Sequence, residues 1–217
     1  MTPRPHLLAD ENLPPEPRQR RSLKNRERLK DAGLALFAEK GYEGASIGDI
    51  ARRARLAVGG FYAHFRSKRQ LLLALMDDLL EKLSQLKLRP GPAPDPRTAL
   101  HDLLSRAFAR DLRYLGAYRA WQEAVLSDKS LARKQEEIHS WTVARVTTVF
   151  GLFQQMPGAR PGVDVPGLAR AMDSFFWNLL ALAVRLPRAE LDHWVASSTH
   201  LIYHALFLDP PGAPGAN

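Results

Sequence analysis

Cysteine is absent from the 217 residues, which excludes disulfides, thiolate nucleophiles and Cys-ligated zinc or iron–sulfur centres. Long apolar runs are absent as well: nothing approaches the roughly 18 uninterrupted apolar residues of a membrane-spanning helix. The basic amino terminus is not followed by an apolar segment of about 7–15 residues, so no secretory signal is read and a cytoplasmic protein is expected. Catalytic signatures are missing: there is no Gly-x-Ser-x-Gly elbow, P-loop, Gly-x-Gly-x-x-Gly after a strand, or His-Glu-x-x-His. The adjacent acids Asp77-Asp78 and Glu136-Glu137 point to different helix faces and do not read as a catalytic dyad. An enzyme is not expected, and no cofactor is implied.

Proline is withheld from two long stretches. The 16 prolines cluster at 3–17, 90–96, 157–166, 187 and 210–214, leaving 18–89 and 97–156 free of them. Proline breaks helix interiors, so those are the stretches where helices can run. Residues 89–96, Arg-Pro-Gly-Pro-Ala-Pro-Asp-Pro, read as an extended connector. Residues 1–20 are proline-rich and charged and read as disordered. No strand alternation and no internal repeat is evident, so an all-α chain of two domains is expected.

What the chain has in excess is positive charge, unevenly spread. Lys and Arg number 31 against 23 Asp and Glu, net +8. Residues 1–69 carry 15 basic and 8 acidic side chains, whereas residues 70–217 carry 16 and 15. The first third of the chain is suited to a polyanion, the plain alternative being a solvated basic face.

Periodicity predicts helices over 22–40 with Gly41 as the stop, over 46–54, over 58–65, and from 68 to about 88. Further helices are predicted near 97–114, 116–127, 130–156, 165–186 and 188–208. Ser46 with Asp49, and Ser67 with Gln70, supply capping-box starts. The helix over 165–186 is apolar over more than one stripe, which requires burial on two sides and suggests a partner subunit.

Ser46 to Phe65 reads as helix, short turn, helix, with Ile50, Ala51, Ala54, Leu56, Phe61 and Phe65 available as its small core. That pattern is a helix-turn-helix whose second helix fits a DNA major groove, the competing reading being an ordinary helical hairpin.

Residues 29–75 resemble the tetracycline-repressor (TetR/AcrR) family of bacterial transcription regulators. The resemblance is carried by Leu29, Ala32, residues 36–42 (Leu-Phe-Ala-Glu-Lys-Gly-Tyr), Ser46, Asp49-Ile50-Ala51, Ala54, Gly59, Phe61-Tyr62, His64-Phe65, Ser67-Lys68 and Leu71-Leu72. It implies a homodimer on pseudo-palindromic double-stranded operator DNA, joined through its two C-terminal helices, with a small-molecule effector site in each C-terminal domain. The organisation expected is an arm at 1–21, a helix-turn-helix domain at 22–67, a helical effector-binding and dimerisation domain at 68–208 and a flexible tail at 209–217.

DNA contacts are expected from Ser46, Ile47 and Gly48 at the start of the second helix, from Arg55, Val58, Gly59, Gly60, Tyr62 and His64, and from Lys68 at the start of the fourth. For Tyr62 and His64, packing against the first helix is the other reading. The sequence departs from the family where the turn usually reads Ala-Gly-Val-Ser; here Ala54-Arg55-Leu56-Ala57 stands. Val58, Gly59 and Gly60 carry no hydrogen-bonding side chain for base edges, so readout is expected to lean on Arg52, Arg55 or an arm containing Arg18, Arg20 and Arg21.

In the C-terminal part, Phe108, Trp121, Glu123, Trp141, Arg145, Phe176, Trp177 and Asn178 are candidates to line an effector cavity with aromatic walls and few polar groups; core filling is the alternative for each aromatic. His193, His200 and His204 fall within about 20° of one another on a helix. A ligand- or metal-sensing protein using that face is one alternative function and a non-specific DNA-binding protein another, but no metal is expected there.

Overall fold

The computed structural model describes residues 3–15, 19–85 and 95–208. Among these, the chain runs α1 (Arg20–Gly44), α2 (Ile47–Arg53), α3 (Val58–Tyr62), α4 (Lys68–Ser84), α5 (Pro96–Asp111), a 3-10 turn (Leu112–Tyr114), α6 (Leu115–Val125), α7 (Lys129–Phe153), α8 (Val165–Ala183) and α9 (Arg188–Leu206). No strand occurs among the described residues, only an isolated bridge between Ala159 and Phe207. Residues 89–94 of the expected connector and the expected tail at 209–217 lie outside the described residues; the connector's last residue, Pro96, is instead the first of α5, a position where proline's missing N–H costs nothing.

α1 is interrupted where the sequence places its stop. Gly41 has φ 73° and ψ −176°, a backbone open in practice only to glycine. The carboxylate of Glu123 on α6 occupies the space a side chain would need there, and accepts a hydrogen bond from the Tyr42 N–H at 2.6 Å. Arg119, one turn earlier on α6, donates to the Ala38 carbonyl at 2.7 Å and lies 3.2 Å from Glu123. A pair of α6 side chains thus satisfies backbone groups that the end of α1 leaves open. Further along, Gly116 lets α6 approach the α1 backbone at Leu34 and Ala38.

α4 joins the two domains. Ser67 accepts from the Gln70 N–H at 3.2 Å, and Gln70 accepts in return from the Arg66 N–H at 2.9 Å. Leu71 to Met76, Leu79 and Leu80 are all buried. Beyond α4, α6 and α7 both pack on α8, and α5 packs on α9. The end of α9 is tied to the α7–α8 loop by Arg160 N–H to Leu206 (2.8 Å) and Leu208 N–H to Gly158 (3.0 Å).

The expectation of disorder at the amino terminus does not hold for residues 3–15, which dock along α4. Leu7 is fully buried, and its N–H donates to Asp77 at 3.0 Å. Arg4 pairs with Asp77 at 2.9 Å and with Glu81 at 3.1 Å. Glu11 takes both bonds of a forked contact from Arg69, at 2.7 and 2.8 Å. Arg69 also reaches Asp128 at 2.9 Å and Ser130 at 2.6 Å, so a single guanidinium joins the arm, α4 and the start of α7. Apolar burial of Leu7 and charge pairing together outweigh the disorder that composition favours. Arg18 lies outside the described residues; Arg20 and Arg21 open α1, exposed.

Candidate nucleic-acid interface and effector cavity

Ser46 caps α2, its hydroxyl accepting from the Asp49 N–H at 3.0 Å. The Asp49 carboxylate turns outward to Lys40 and Arg52. Hydrogen bonds from Lys40 and then Ser46 hold it below the usual carboxylate range.

The turn to α3 is a Schellman closure built without its usual glycine. Arg55 takes φ 56°; its N–H donates to Arg52 at 3.0 Å, and the Leu56 N–H donates to Ala51 at 2.9 Å. Ala57 then starts α3 with no side-chain cap. Both features are correctable. Arg55→Gly is expected to stabilise the fold by about 1 kcal/mol by removing the left-handed strain. Ala57→Ser is expected to add about 1 kcal/mol by capping α3. Urea denaturation midpoints check both, and unmoved midpoints would contradict the strain and the missing cap.

α3 divides into an inner and an outer face. Phe61 is fully buried, 5.8 Å from the Phe65 ring. Val58 and Tyr62 are about half exposed, 47% and 51%, and nothing lies within 4 Å of where a Gly59 Cβ would sit. Val58, Gly59 and Tyr62 form the outward stripe, with Gly60 turned toward Leu56. Ser46, Gly48 and Arg55 are exposed, and Ile47 is half-buried against the core. Arg55 also joins Lys24, Arg28 and Arg53 around a cleft of about 540 Å³ between α1 and the turn, with Asp31 the acid in its wall. Lys24 and Arg28 were not singled out from sequence, although their spacing of four puts them on one face of α1.

Two expected contacts sit differently. His64 is only 4% exposed, and its Nδ1 is buried without a hydrogen-bond partner among the described residues. Its carbonyl accepts from Arg26 of α1 at 3.3 Å, and Arg26 lies over the Phe65 ring. Packing against α1, not a free face, is therefore where His64 stands. Lys68 is half-buried, donates to the Tyr42 carbonyl at 2.5 Å and covers the Tyr42 ring, which leaves its backbone N–H at the start of α4 rather than its ammonium as the outward group.

Burial, and then the charge of Arg26, push the His64 pKa below its ordinary 6.5. The unfolded chain therefore binds a proton at a pH where the folded ring does not. This contribution to stability is complete above about pH 6.5 and is lost as pH falls toward the depressed folded value. His64→Phe is expected to flatten the decline of the denaturation midpoint as pH falls below 6.5; an unchanged decline would mean that His64 is not its source.

Two adjoining apolar spaces of about 140 and 150 Å³ lie in the C-terminal domain. Both are walled by Leu83, Leu104, Ala107, Thr142, Val146 and Phe176. Of the sequence candidates, Phe108, Phe176 and Trp177 line the first and Trp141, Arg145 and Phe176 the second. Trp121 is fully buried away from both, Glu123 serves the α1–α6 junction, and Asn178 is exposed on α8. Arg145 donates to the Leu83 carbonyl at 2.8 Å and lies over Trp141; burial lowers its pKa. Sequence reasoning missed Tyr118, Thr142 and Asp173 in the first space. Asp173 had a signal, being the single acid within the apolar Val165–Ala183 helix.

On α9, the His200 and His204 rings are 4.3 Å apart, yet among the described residues no group of three or more His, Asp or Glu is placed to hold a metal. No helix among them is long and apolar enough to cross a membrane.

These features define a class: an all-α protein with an amino-terminal helix-turn-helix, its second helix presented outward, followed by a helical domain with an internal apolar cavity. Residues 29–75 match the family described as "Bacterial regulatory proteins, tetR family". The HTH-type transcriptional repressor KstR of Rhodococcus jostii is 39% identical over 88 residues, 40% of this chain and 42% of that protein. The A-factor receptor protein of Streptomyces griseus is 38% identical over 61 residues, 28% of this chain and 22% of that one. The chain spans less than half the length of these relatives. A tetR-family regulatory protein from Rhodococcus RHA1 shares the fold at TM-score 0.66 and 18% identity, over 86% of this chain and 99% of that one. The SmeT–triclosan complex shares it at TM-score 0.63 and 22% identity, over 88% and 96%.

Proposed function

We propose that this protein is a homodimeric, operator-specific transcriptional regulator, a repressor released from DNA by a small, largely apolar ligand. The outward stripe of Val58, Gly59 and Tyr62 is the observation that carries the reading: a short helix held from behind by Phe61 and Phe65, with its outer face left open by the described residues, is shaped to enter a groove. The open α2 amino terminus and the cations around the Arg55 cleft supply groups for phosphates on either side. Leu201 on α9, 56% exposed, supports pairing through the last helices.

α4 links the two ends of the mechanism. Leu79, Leu80 and Leu83 wall the first apolar space, while Lys68 at the start of α4 bonds the Tyr42 carbonyl at the end of α1. A ligand that fits one α4 orientation better than the other shifts the spacing of the two recognition helices and so lowers DNA affinity. The test is fluorescence anisotropy with a duplex carrying the inverted repeat beside the protein's own gene. A preference of about 10³ or more over random duplex at fixed salt is expected. Equal affinity for both would mark a DNA-coating protein and end the specific-regulator reading.

A further inference from the structure

A chain of side chains leading to the first apolar space runs in one hydrogen-bond direction from Trp121 to Asp173. The Trp121 indole N–H is a donor only and meets Gln135 Oε1. That fixes the Gln135 amide, whose Nε2 then faces His139 Nε2 as a donor. His139 Nε2 then accepts, and Nδ1 donates to Asp173 Oδ2. The Thr142 hydroxyl reaches Asp173 Oδ1 at 2.6 Å. Asp173 is thus the terminal acceptor of the relay. It is 6% exposed and pairs with no Lys or Arg among the described residues. His139 is the one ionisable side chain bonded to it, through Nδ1.

A carboxylate buried among apolar groups with no Lys or Arg beside it is costly to maintain. It retains lone pairs that neither Thr142 nor His139 uses. Asp173 and Thr142 both line the first apolar space, beside Tyr118, Phe176 and Trp177. The Trp177 ring stands edge-on to Tyr118 (5.0 Å) and to His139 (5.2 Å). Aromatic faces around an anion attract an organic cation twice over, through the charge and through the rings. The opposite charge, Arg145, lines the neighbouring space and not this one.

We propose that Asp173 makes this cavity a site for a small organic monocation, an amine on an apolar or aromatic body, with the ammonium at Asp173 and the body against Phe176 and Trp177. This rests on the reading of the cavity as the effector site and names the ligand class that reading leaves open. The relay from Trp121 is the device that aims the carboxyl group.

Isothermal titration calorimetry on the full chain, without DNA, tests it with three probes of one shape: 2-phenylethylamine, 2-phenylethanol and phenylacetate. The amine is expected to bind at least about tenfold more tightly than the alcohol, with phenylacetate weakest. Asp173→Asn keeps the shape and an acceptor for His139 and is expected to erase that preference. The wild-type comparison needs no variant, so a folding defect in Asp173→Asn cannot mask the answer. Equal or tighter binding of the alcohol or the acid, an amine preference that survives Asp173→Asn, or no heat from the amine at about 10 mM overturns the proposal. Loss of the amine preference with operator binding intact removes the cation site alone. An amine preference in a protein that ignores operator DNA keeps the site and removes the regulator reading.

Discussion

Gly116→Ala is expected to destabilise the protein by about 3 kcal/mol, the upper range for forcing volume into a packed contact. The added methyl would land on the Leu34 carbonyl oxygen of α1, with the Ala38 nitrogen 2.9 Å away. Both are backbone atoms in the middle of a helix, so neither can step aside as a side-chain tip could. α1 and α6 must move apart instead, and that parting strains Arg119 to Ala38 and Glu123 to Tyr42, the two bonds that finish α1. α6 packs on α1 more extensively than any other helix among the described residues does, so the damage also loosens the seat of the helix-turn-helix. Denaturant unfolding of the purified variant measures the loss. A midpoint like that of the parent would mean that the helices are not in the close register described.

Gly59→Glu is expected to do the reverse, leaving the fold intact and abolishing DNA binding. Nothing stands within 4 Å of the new side chain's first atom, and replacing a helical glycine adds a few tenths to about 1 kcal/mol of stability. On the outward face, however, the carboxylate would sit between Val58 and Tyr62 and confront a polyanion. Like charges placed across an interface cost several kcal/mol, so operator affinity should fall by at least about 100-fold. Anisotropy titrations beside a thermal melt separate the two effects. Undiminished affinity in a folded Gly59→Glu protein would remove α3 from the interface.

Local signals made most of the helices readable. Serines at 46 and 67 start α2 and α4 as their capping pattern requires, and Gly41 breaks α1 where a stop was expected. The Arg55 turn was legible as a conditional, since an arginine in a position that closes a short helix must accept a left-handed backbone. Contacts between distant segments were not legible. Nothing local distinguishes His64 turned inward to α1 from His64 turned outward, because the choice depends on where Arg26 lies. The arm misled for a related reason: its prolines argue for disorder, while Leu7, Arg4 and Glu11 find partners that lie about 60 to 70 residues further on. In the cavity, aromatic content pointed to Phe108, Trp141, Phe176 and Trp177, but Asp173 draws its meaning from Gln135 and His139 on a different helix.

The docked arm also matters for handling the protein. Residues 3–15 are fastened across α4, the shaft that the proposed ligand response would swing, and Arg69 bolts that shaft to α7. A purification handle fused upstream would tug on the pivot itself, so an apparent change in inducer response on cleaving such a handle would report this fastening and not the cavity.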